Sequence, residues 1–244
     1  MIGIILAAGK GTRLRPLTYA IPKPLLPVGG RPVLEYAIEN LTACKEIKKI
    51  YIAVSHQREL IEAYLQHVNY GIEVETVHTL GWETGGDLKT ILNEKKINEP
   101  VIVAYGDIVS KIDTNELLEF HRKNGKIATV ALFEVPDEDV NRFGIADVDS
   151  KSGTIRQFVE KPKLEDAPSN LANTGYYILE KKAQDELSLE KKRVEEMLFP
   201  KLAERGELAG HVCKPSYWLD IGTIESYRKA KRLVEGILAP NKKE

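Results

Sequence analysis

Cysteine is scarce in this sequence, and neither positive nor negative charge is in excess. Only two cysteines occur among the 244 residues. Cys44 and Cys213 have no CxxC or zinc-like spacing, which argues against a disulfide framework and a zinc site and predicts two buried free thiols. Lys and Arg number 35 against 36 Asp and Glu, a formal net charge of -1. This balance excludes the global positive field that non-specific binding to nucleic acid or to an anionic membrane requires.

Long hydrophobic runs are also missing. The longest apolar stretches have the length of a strand, as in the run from Ile2 to Ala8, whereas a helix needs roughly 20 apolar residues to span a bilayer. Met1 leads directly into this run without the charged region and cleavage site of a signal peptide. The sequence therefore favours a cytoplasmic protein that binds neither membranes nor nucleic acid. Its 43% of hydrophobic residues suffices for a substantial core.

In the first half of the chain, short runs rich in Ile and Val alternate with segments of helical periodicity. This alternation is typical of βαβ units and a mainly parallel sheet. Strands are predicted over residues 2–6, 50–54, 72–77, 101–104 and 127–135, and helices over 32–43, 58–67, 86–93 and 115–123. The connection before the first helix contains four prolines at 16, 22, 24 and 27, which exclude a continuous helix there.

From about Gly144 the predicted strands become shorter. Strands over 145–148 and 155–159 flank a polar turn and predict an antiparallel hairpin. Strands over 174–179 and 208–213 and helices over 194–204 and 225–238 follow. We find no repeat and no linker. The pattern predicts an α/β fold with a doubly wound, mainly parallel, Rossmann-like sheet and a small antiparallel β insertion near the carboxyl ends of the strands, where open α/β sheets bind ligands.

The strongest local signal is the loop after the first strand, LAAGKGTRLRPLT at residues 6–18. Its glycines allow backbone N–H groups to approach an anion, and Lys10, Arg13 and Arg15 add positive charge. The Gly-x-Gly spacing is not specific by itself. A Rossmann fingerprint needs a glycine where Leu14 stands, and a P-loop needs a Gly-Lys-Ser/Thr that this loop lacks. The loop is therefore a candidate phosphate site of another type.

The continuation PKPLLPVGGRP at residues 22–32 completes a long run that resembles the signature of the sugar-1-phosphate nucleotidylyltransferases, or NDP-sugar pyrophosphorylases. Further segments follow in that family's order: GG at 85–86, GD at 106–107, FG at 143–144, VEKP at 159–162, NTG at 173–175 and WLDIGT at 218–223. The resemblance implies the nucleotide-diphospho-sugar transferase type of fold, in the short form without a C-terminal β-helix. It implies one domain, 1–244, in which about 1–135 binds the nucleotide, about 136–220 binds the sugar phosphate and about 221–244 forms a C-terminal helix.

The resemblance also implies the roles of individual residues. Arg13 and Lys23 would act catalytically on the triphosphate, and Asp107 and Asp220 would hold Mg²⁺, which takes carboxylates together with phosphate oxygens and water. Nucleotide contacts are implied for Leu6, Ala7, Ala8, Gly9, Gly11, Thr12, Gly85 and Gly86. Sugar-phosphate contacts are implied for Gly144, Glu160, Lys161 and Asn173. Without the resemblance, these charges would be interpreted as solvated side chains, Asp107 as a turn cap and Asp220 as the start of a helix.

The reaction implied is transfer of a nucleoside monophosphate from a nucleoside triphosphate to a hexose-1-phosphate, with release of pyrophosphate. Glucose-1-phosphate with dTTP or UTP is favoured, and a mannose-1-phosphate guanylyltransferase is the alternative. The segment TLGWETGGD at 79–87 departs from the Gly-Thr-Ala-Gly and Gln-Pro-x-x-x-Gly patterns of many relatives, so the base stays open.

Other classes of function also stay open. A cytidylyltransferase for another alcohol phosphate would keep the chemistry and change the acceptor. A non-catalytic NDP-sugar-binding regulatory subunit belongs to a different class, and it is disfavoured because a degenerate binder would be free to lose members of the charged set Arg13, Lys23, Asp107, Lys161 and Asp220. Homo-oligomerisation is compatible with the resemblance, and no apolar stripe in the sequence assigns an interface.

Overall fold

The computed structural model describes residues 1–238, so residues 239–244 of the predicted C-terminal helix lie outside the described residues. The strands are β1 (Ile2–Leu6), β2 (Pro27–Val28), β3 (Arg31–Pro32), β4 (Lys49–Val54), β5 (Glu73–His78), β6 (Val101–Tyr105), β7 (Ile108–Ser110), β8 (Ala128–Glu134), β9 (Gly144–Val148), β10 (Ile155–Glu160), β11 (Leu171–Leu179), β12 (Leu208–Val212) and β13 (Trp218–Asp220). The helices are α1 (Leu17–Ala20), α2 (Val33–Thr42), α3 (Arg58–Leu65), α4 (Glu83–Glu94), α5 (Thr114–Asn124), α6 (Lys181–Asp185), α7 (Val194–Met197), α8 (Phe199–Glu204) and α9 (Ile224–Leu238). Most elements begin and end within a few residues of the predicted bounds.

One large sheet organises the part of the chain that the structure describes. It contains nine strands, in the order β10-β9-β11-β6-β1-β4-β5, with β8 beside β11 and β12 beside β8. The strands from β6 to β5 are parallel, whereas β11 runs antiparallel to β6, β8 and β9. The predicted α/β class with a Rossmann-like parallel sheet is confirmed. The predicted antiparallel hairpin β9–β10 is a continuation of the same sheet.

Helices cover both faces of this sheet, as expected for a doubly wound fold. Ile4 and Val103 point into one core, which α4, α7 and α8 cover. Ile5 and Ile102 point into the other core, under α2, α3 and α5. Both cores exclude water, so β1 and β6 are apolar at almost every position.

Two differences from the predicted elements have local causes. The predicted helix 194–204 is divided at Leu198, whose φ of -114° departs from the regular helical value of about -63°, and Pro200 stands in the first turn of α8. Proline lacks the N–H that a continuous helix would need at that point. The short strands β7 and β13 were not predicted, and they pair with each other outside the main sheet. This β7–β13 ribbon positions the candidate site.

The two cysteines are free, as predicted, with Cys44 buried and Cys213 partly exposed rather than buried. Between residues 1 and 238 no helix combines the length and the apolar character needed to cross a membrane.

Candidate active site

The loop after β1 folds back on the proline-rich connection. Gly11 has a φ of +61°, and a Cβ atom there would lie 2.9 Å from the Thr18 Cγ2 and 3.1 Å from the Lys23 Cβ. Glycine is therefore required both for the left-handed backbone and for space. The Thr18 hydroxyl donates to the Gly11 carbonyl at 2.8 Å. The predicted nucleotide contacts Leu6, Ala7, Ala8, Gly9, Gly11 and Thr12 all lie at the end of β1 or on this loop. Of these, Gly11 lies directly beside Lys23.

Asp107 lies at the carboxyl end of β6, next to that loop. The Gly106 N–H donates to the Leu6 carbonyl at 3.0 Å, and a Cβ atom at Gly106 would lie only 2.9 Å from the Ala7 Cβ. The missing side chain thus allows the two segments to pack tightly. Lys23 Nζ forms a salt bridge with Asp107 Oδ2, where the Lys23 side chain is 11% exposed and that of Asp107 39%. Lys23, a predicted catalytic residue, therefore contacts Asp107, a predicted metal ligand.

The β7–β13 ribbon brings Asp220 to the same place. Asp220 pairs with Ile108, the residue after Asp107, and so ends a strand rather than starting a helix. Its Oδ1 accepts a hydrogen bond from Arg142 Nη2 at 2.6 Å. A Cβ atom at Gly222 would lie 2.8 Å from Asp220 Oδ2 and 3.2 Å from Arg13 Nη2. Arg13 and Asp220 therefore converge on this glycine.

The two aspartates suit a magnesium ion that arrives with a substrate. Among the described residues, no group of three or more His, Cys, Asp or Glu side chains could hold a metal ion. Mg²⁺ is usually held by one or two carboxylates and completes its shell with phosphate oxygens and water. Asp107 and Asp220 are partly exposed, at 39% and 29%. They could supply two ligands and leave the others to phosphates and solvent.

The predicted sugar-phosphate residues of β9 and β10 also meet. Gly144 is paired with Glu160, and a Cβ atom at Gly144 would lie 2.5 Å from the Phe158 Cζ and 2.9 Å from Glu160 Oε2. Glu160 Oε1 lies 3.3 Å from Lys161 Nζ and accepts a hydrogen bond from Arg193 Nη1 at 2.9 Å. Lys161 has a φ of +49°. Strained conformations of this kind cluster at functional sites.

Asn173, on β11, faces the same region and leads to a residue that sequence reasoning missed. Its Oδ1 accepts from the Gly175 N–H at 2.8 Å, and its Nδ2 donates to Glu195 Oε1 at 3.4 Å. Glu195 is 5% exposed. Burial raises the pKa of Glu195 above its ordinary value, and the negative charge of Glu160 adds to that rise.

Glu195 and Arg193 were not predicted as site residues. Residues 190–196 read EKKRVEE, a run of charges that predicts a solvated surface. Nothing local distinguishes Glu195, which is buried, from the exposed Glu196.

Gly85 and Gly86 lie in the first turn of α4 and pack against residues 190–193. A Cβ atom at Gly85 would lie 2.6 Å from the Lys192 carbonyl oxygen, and one at Gly86 would lie 2.4 Å from that of Glu190. The Gly85 N–H already donates to Lys192 at 3.0 Å. The two glycines thus allow close packing of backbone, and their contact with a nucleotide stays a prediction.

The segment before α4 lies against the N-terminal loop. A Cβ atom at Gly81 would lie 3.7 Å from the Ala8 carbonyl oxygen. Asp87 is 5% exposed and accepts a hydrogen bond from the Trp82 N–H at 2.9 Å. Burial raises the pKa of Asp87. A buried carboxyl group therefore fixes the backbone at the start of α4.

Comparisons with known proteins match nearly the whole chain. The profile of a family described as "Nucleotidyl transferase" matches residues 2–236. The chain is 35% identical over 254 residues to a UTP–glucose-1-phosphate uridylyltransferase of Synechocystis sp., covering 98% of this chain and 64% of that protein. It is 31% identical over 239 residues to mannose-1-phosphate guanylyltransferase 1 of Arabidopsis thaliana, covering 96% and 64%.

A solved structure is similar along its full length. The UDP-glucose pyrophosphorylase complexed with UDP-glucose superimposes with a TM-score of 0.83 at 25% identity, covering 97% of this chain and 98% of that one. The chain spans about 64% of the length of the curated relatives it matches.

Proposed function

The chain belongs to the nucleotidyl transferase family, and from that membership we propose that it transfers a nucleoside monophosphate from a nucleoside triphosphate to a sugar-1-phosphate. The family match confirms the resemblance that the sequence motifs carry. The observation that supports the proposal most directly is the convergence of Arg13, Lys23, Asp107 and Asp220 at the carboxyl ends of β1 and β6. That convergence joins the N-terminal loop to β13.

The reaction requires positioning and charge stabilisation rather than a protein nucleophile. An oxygen of the sugar-1-phosphate attacks the α-phosphorus in line, a new phosphorus–oxygen bond forms, and the bond to the β-phosphate oxygen breaks so that pyrophosphate leaves. The attacking phosphate is already an anion near neutral pH, so it needs no general base. The binding of both phosphates in one cleft can then supply most of the catalysis.

Arg13 and Lys23 are suited to the triphosphate in different ways. A guanidinium group can bridge two phosphate oxygens with its planar array of donors, whereas an ammonium group acts as a point charge. The salt bridge to Asp107 keeps the Lys23 ammonium group next to the N-terminal loop, where the phosphates would bind.

Asp107 and Asp220 would hold Mg²⁺ together with phosphate oxygens. The ion, when bound, would neutralise charge on the phosphates during transfer. Each aspartate currently has a cationic partner, Lys23 and Arg142 respectively. These partners reduce the mutual repulsion of the carboxylates.

We further propose that the acceptor is a hexose-1-phosphate bound between β9, β10 and β11. Gly144, Glu160 and Asn173 would contact the sugar hydroxyl groups, and Lys161 its phosphate. Glucose-1-phosphate with UTP or dTTP is the first choice. Mannose-1-phosphate with GTP is the second, because relatives named for both reactions match the chain at 35% and 31% identity.

The test is release of pyrophosphate from each common nucleoside triphosphate in combination with several sugar-1-phosphates in the presence of Mg²⁺. We expect one combination to be turned over. Asp107→Asn and Asp220→Asn should each lower its kcat at least about 100-fold, the scale at which an electrostatic contact to the transition state acts. Asp166→Asn, in an exposed turn, is the matched control and should keep the wild-type rate.

Two outcomes would contradict the proposal in different ways. Wild-type turnover in both aspartate variants would overturn the assignment of the metal ligands. Binding of an NDP-sugar without turnover of any combination would instead support a regulatory subunit.

A further inference from the structure

Glu195 is a buried carboxylate that the proposed chemistry does not use. It lies in α7, and its side chain receives hydrogen bonds from three different elements. Tyr105 Oη and Asn173 Nδ2 donate to Oε1, the latter at 3.4 Å, and Thr84 Oγ1 donates to Oε2 at 3.1 Å. One carboxylate therefore organises side chains from β6, β11 and α4.

These three donors come from both halves of the cleft. Thr84 stands in the first turn of α4, within residues 79–87, the segment that packs at Gly81 against the N-terminal loop. Tyr105 ends β6, two residues before Asp107. Asn173 lies beside the hairpin that carries Glu160. Glu195 thus connects the nucleotide side of the cleft with its sugar side.

The backbone around Glu195 strengthens this connection. Thr84 Oγ1, besides donating to Glu195, accepts a hydrogen bond from the Val194 N–H at 3.0 Å. Arg193 Nε donates to Glu83 Oε2 at 3.4 Å, and its Nη1 donates to Glu160 Oε1 at 2.9 Å. Residues 193–195 are therefore bonded to the start of α4 and to the end of β10 at once.

We propose that Glu195 is a positioning residue that aligns the sugar phosphate with the nucleotide, an inference that rests on the proposed function. It acts through Asn173. The Asn173 Oδ1 is bonded to the Gly175 N–H and one Nδ2 hydrogen to Glu195, which fixes the orientation of the amide. The second Nδ2 hydrogen is then the donor left for a sugar hydroxyl oxygen.

Position 195 needs a carboxylate because three donors require acceptors there. Both of its oxygens accept hydrogen bonds, so Tyr105, Thr84 and Asn173 are all satisfied. A glutamine of the same shape has a single oxygen, and its NH₂ group would face a donor. At least one of the three hydrogen bonds must then change, because the Asn173 Nδ2 cannot accept and a hydroxyl that accepts from the NH₂ group no longer donates to residue 195. We expect the sugar side of the cleft to lose alignment as a result.

The test compares the affinity for a nucleotide with and without its sugar, in the absence of turnover. Wild type, Glu195→Gln and the matched control Glu196→Gln, whose side chain is exposed, are titrated calorimetrically with UDP and UDP-glucose, dTDP and dTDP-glucose, and GDP and GDP-mannose. For the pair that wild type binds most tightly, we expect Glu195→Gln to raise the Kd of the NDP-sugar about tenfold, or about 1.4 kcal/mol. Its Kd for the NDP should change less than about twofold. Glu196→Gln should match wild type for both ligands.

The outcomes separate this inference from the function on which it rests. Wild type that binds no NDP-sugar would overturn both. The inference alone is overturned if the ratio of the NDP Kd to the NDP-sugar Kd in Glu195→Gln equals that of wild type. This holds whether both Kd values are unchanged or both are raised equally. Tyr105→Phe is the second variant if Glu195→Gln does not fold. It leaves the carboxylate in place and removes one donor. We expect a smaller rise in the Kd of the NDP-sugar, and an unchanged Kd would count against the inference.

Discussion

Glu195 and Glu196 are adjacent acidic residues with opposite environments. Glu196 faces solvent, whereas Glu195 is 5% exposed and lies among Tyr105, Tyr177, Asn173 and Glu160. A buried carboxyl group is stabilised in its protonated form unless enough donors or cations compensate for the lost hydration. Here the hydrogen bonds from Tyr105 and Thr84 oppose the shift, but burial and Glu160 outweigh them, and the pKa of Glu195 is raised.

The raised pKa predicts how the stability of the protein depends on pH. The folded state holds the Glu195 proton more tightly than the unfolded state, so stability falls as the pH rises from the ordinary Glu pKa, about 4.3, to the folded pKa. Relative to Glu195→Gln, wild type should therefore be more stable at pH 5 than at pH 8. Thermal unfolding of both proteins across this range measures the difference. Glu196→Gln, which changes an exposed side chain, is the matched control. A constant difference between wild type and Glu195→Gln across this range would contradict the prediction.

Among the elements, the β9–β10 hairpin shows how a turn sets the register of a site. Asp149 Oδ1 accepts from the N–H groups of Lys151 and Ser152, both at 2.9 Å, and its Oδ2 from Arg156. Gly153 takes the left-handed conformation, with a φ of +69°. This turn closes the hairpin whose open end carries the paired Gly144 and Glu160.

These contacts predict that Asp149 stabilises the hairpin only while it is charged. The Ser152 N–H bond, followed by Arg156, lowers the pKa of Asp149 to about 2. A lowered carboxyl pKa adds stability above the ordinary Asp value, and that stability is lost as the pH falls through the folded pKa. Asp149→Asn should therefore unfold at a lower temperature than wild type at pH 7, with the gap closing toward pH 2. Asp166→Asn, in another exposed turn, should show no comparable gap at pH 7.

For the molecule as a whole, Asn40 ties the β7–β13 ribbon to the main fold. It lies in α2 with 1% of its surface exposed. Its Nδ2 donates to the Ser110 carbonyl at 3.1 Å and to Tyr176 Oη at 2.9 Å, and its Oδ1 accepts from the Ile112 N–H at 3.4 Å. One side chain thus connects a helix, the ribbon and β11, below the two aspartates.

Replacing this amide should weaken both the fold and the site. Asn40→Leu leaves buried groups of Ser110, Ile112 and Tyr176 without their partner, and each such group costs about 1–3 kcal/mol. We expect the free energy of unfolding, measured in urea, to fall by at least about 2 kcal/mol. Pyrophosphate release by the folded fraction should fall as well, because β7 leads from Asp107. Asn93→Leu, at an exposed position in α4, should leave both quantities unchanged, and an equal effect of the two substitutions would contradict the prediction.

The sequence by itself determined the alternation of strands and helices and the content of the N-terminal loop. Both follow from local rules. Strands covered on two faces must be apolar along their length, as β1 and β6 are, and a glycine such as Gly11 marks a backbone that other residues rarely adopt. The family motifs then predicted functional roles for the charged set. From composition alone, the same residues would be interpreted as solvated side chains.

Only the tertiary structure decided which of these residues meet. The strands β7 and β13 have three residues each, too few for a periodic pattern, yet their pairing brings Asp220 next to Asp107. Residues 190–196 read as one charged run, yet packing against α4, β6 and β11 buries Glu195 and leaves Glu196 in solvent. A local sequence pattern indicates which face of a single helix or strand is buried. A contact between distant segments depends instead on how the whole chain closes around its two cores.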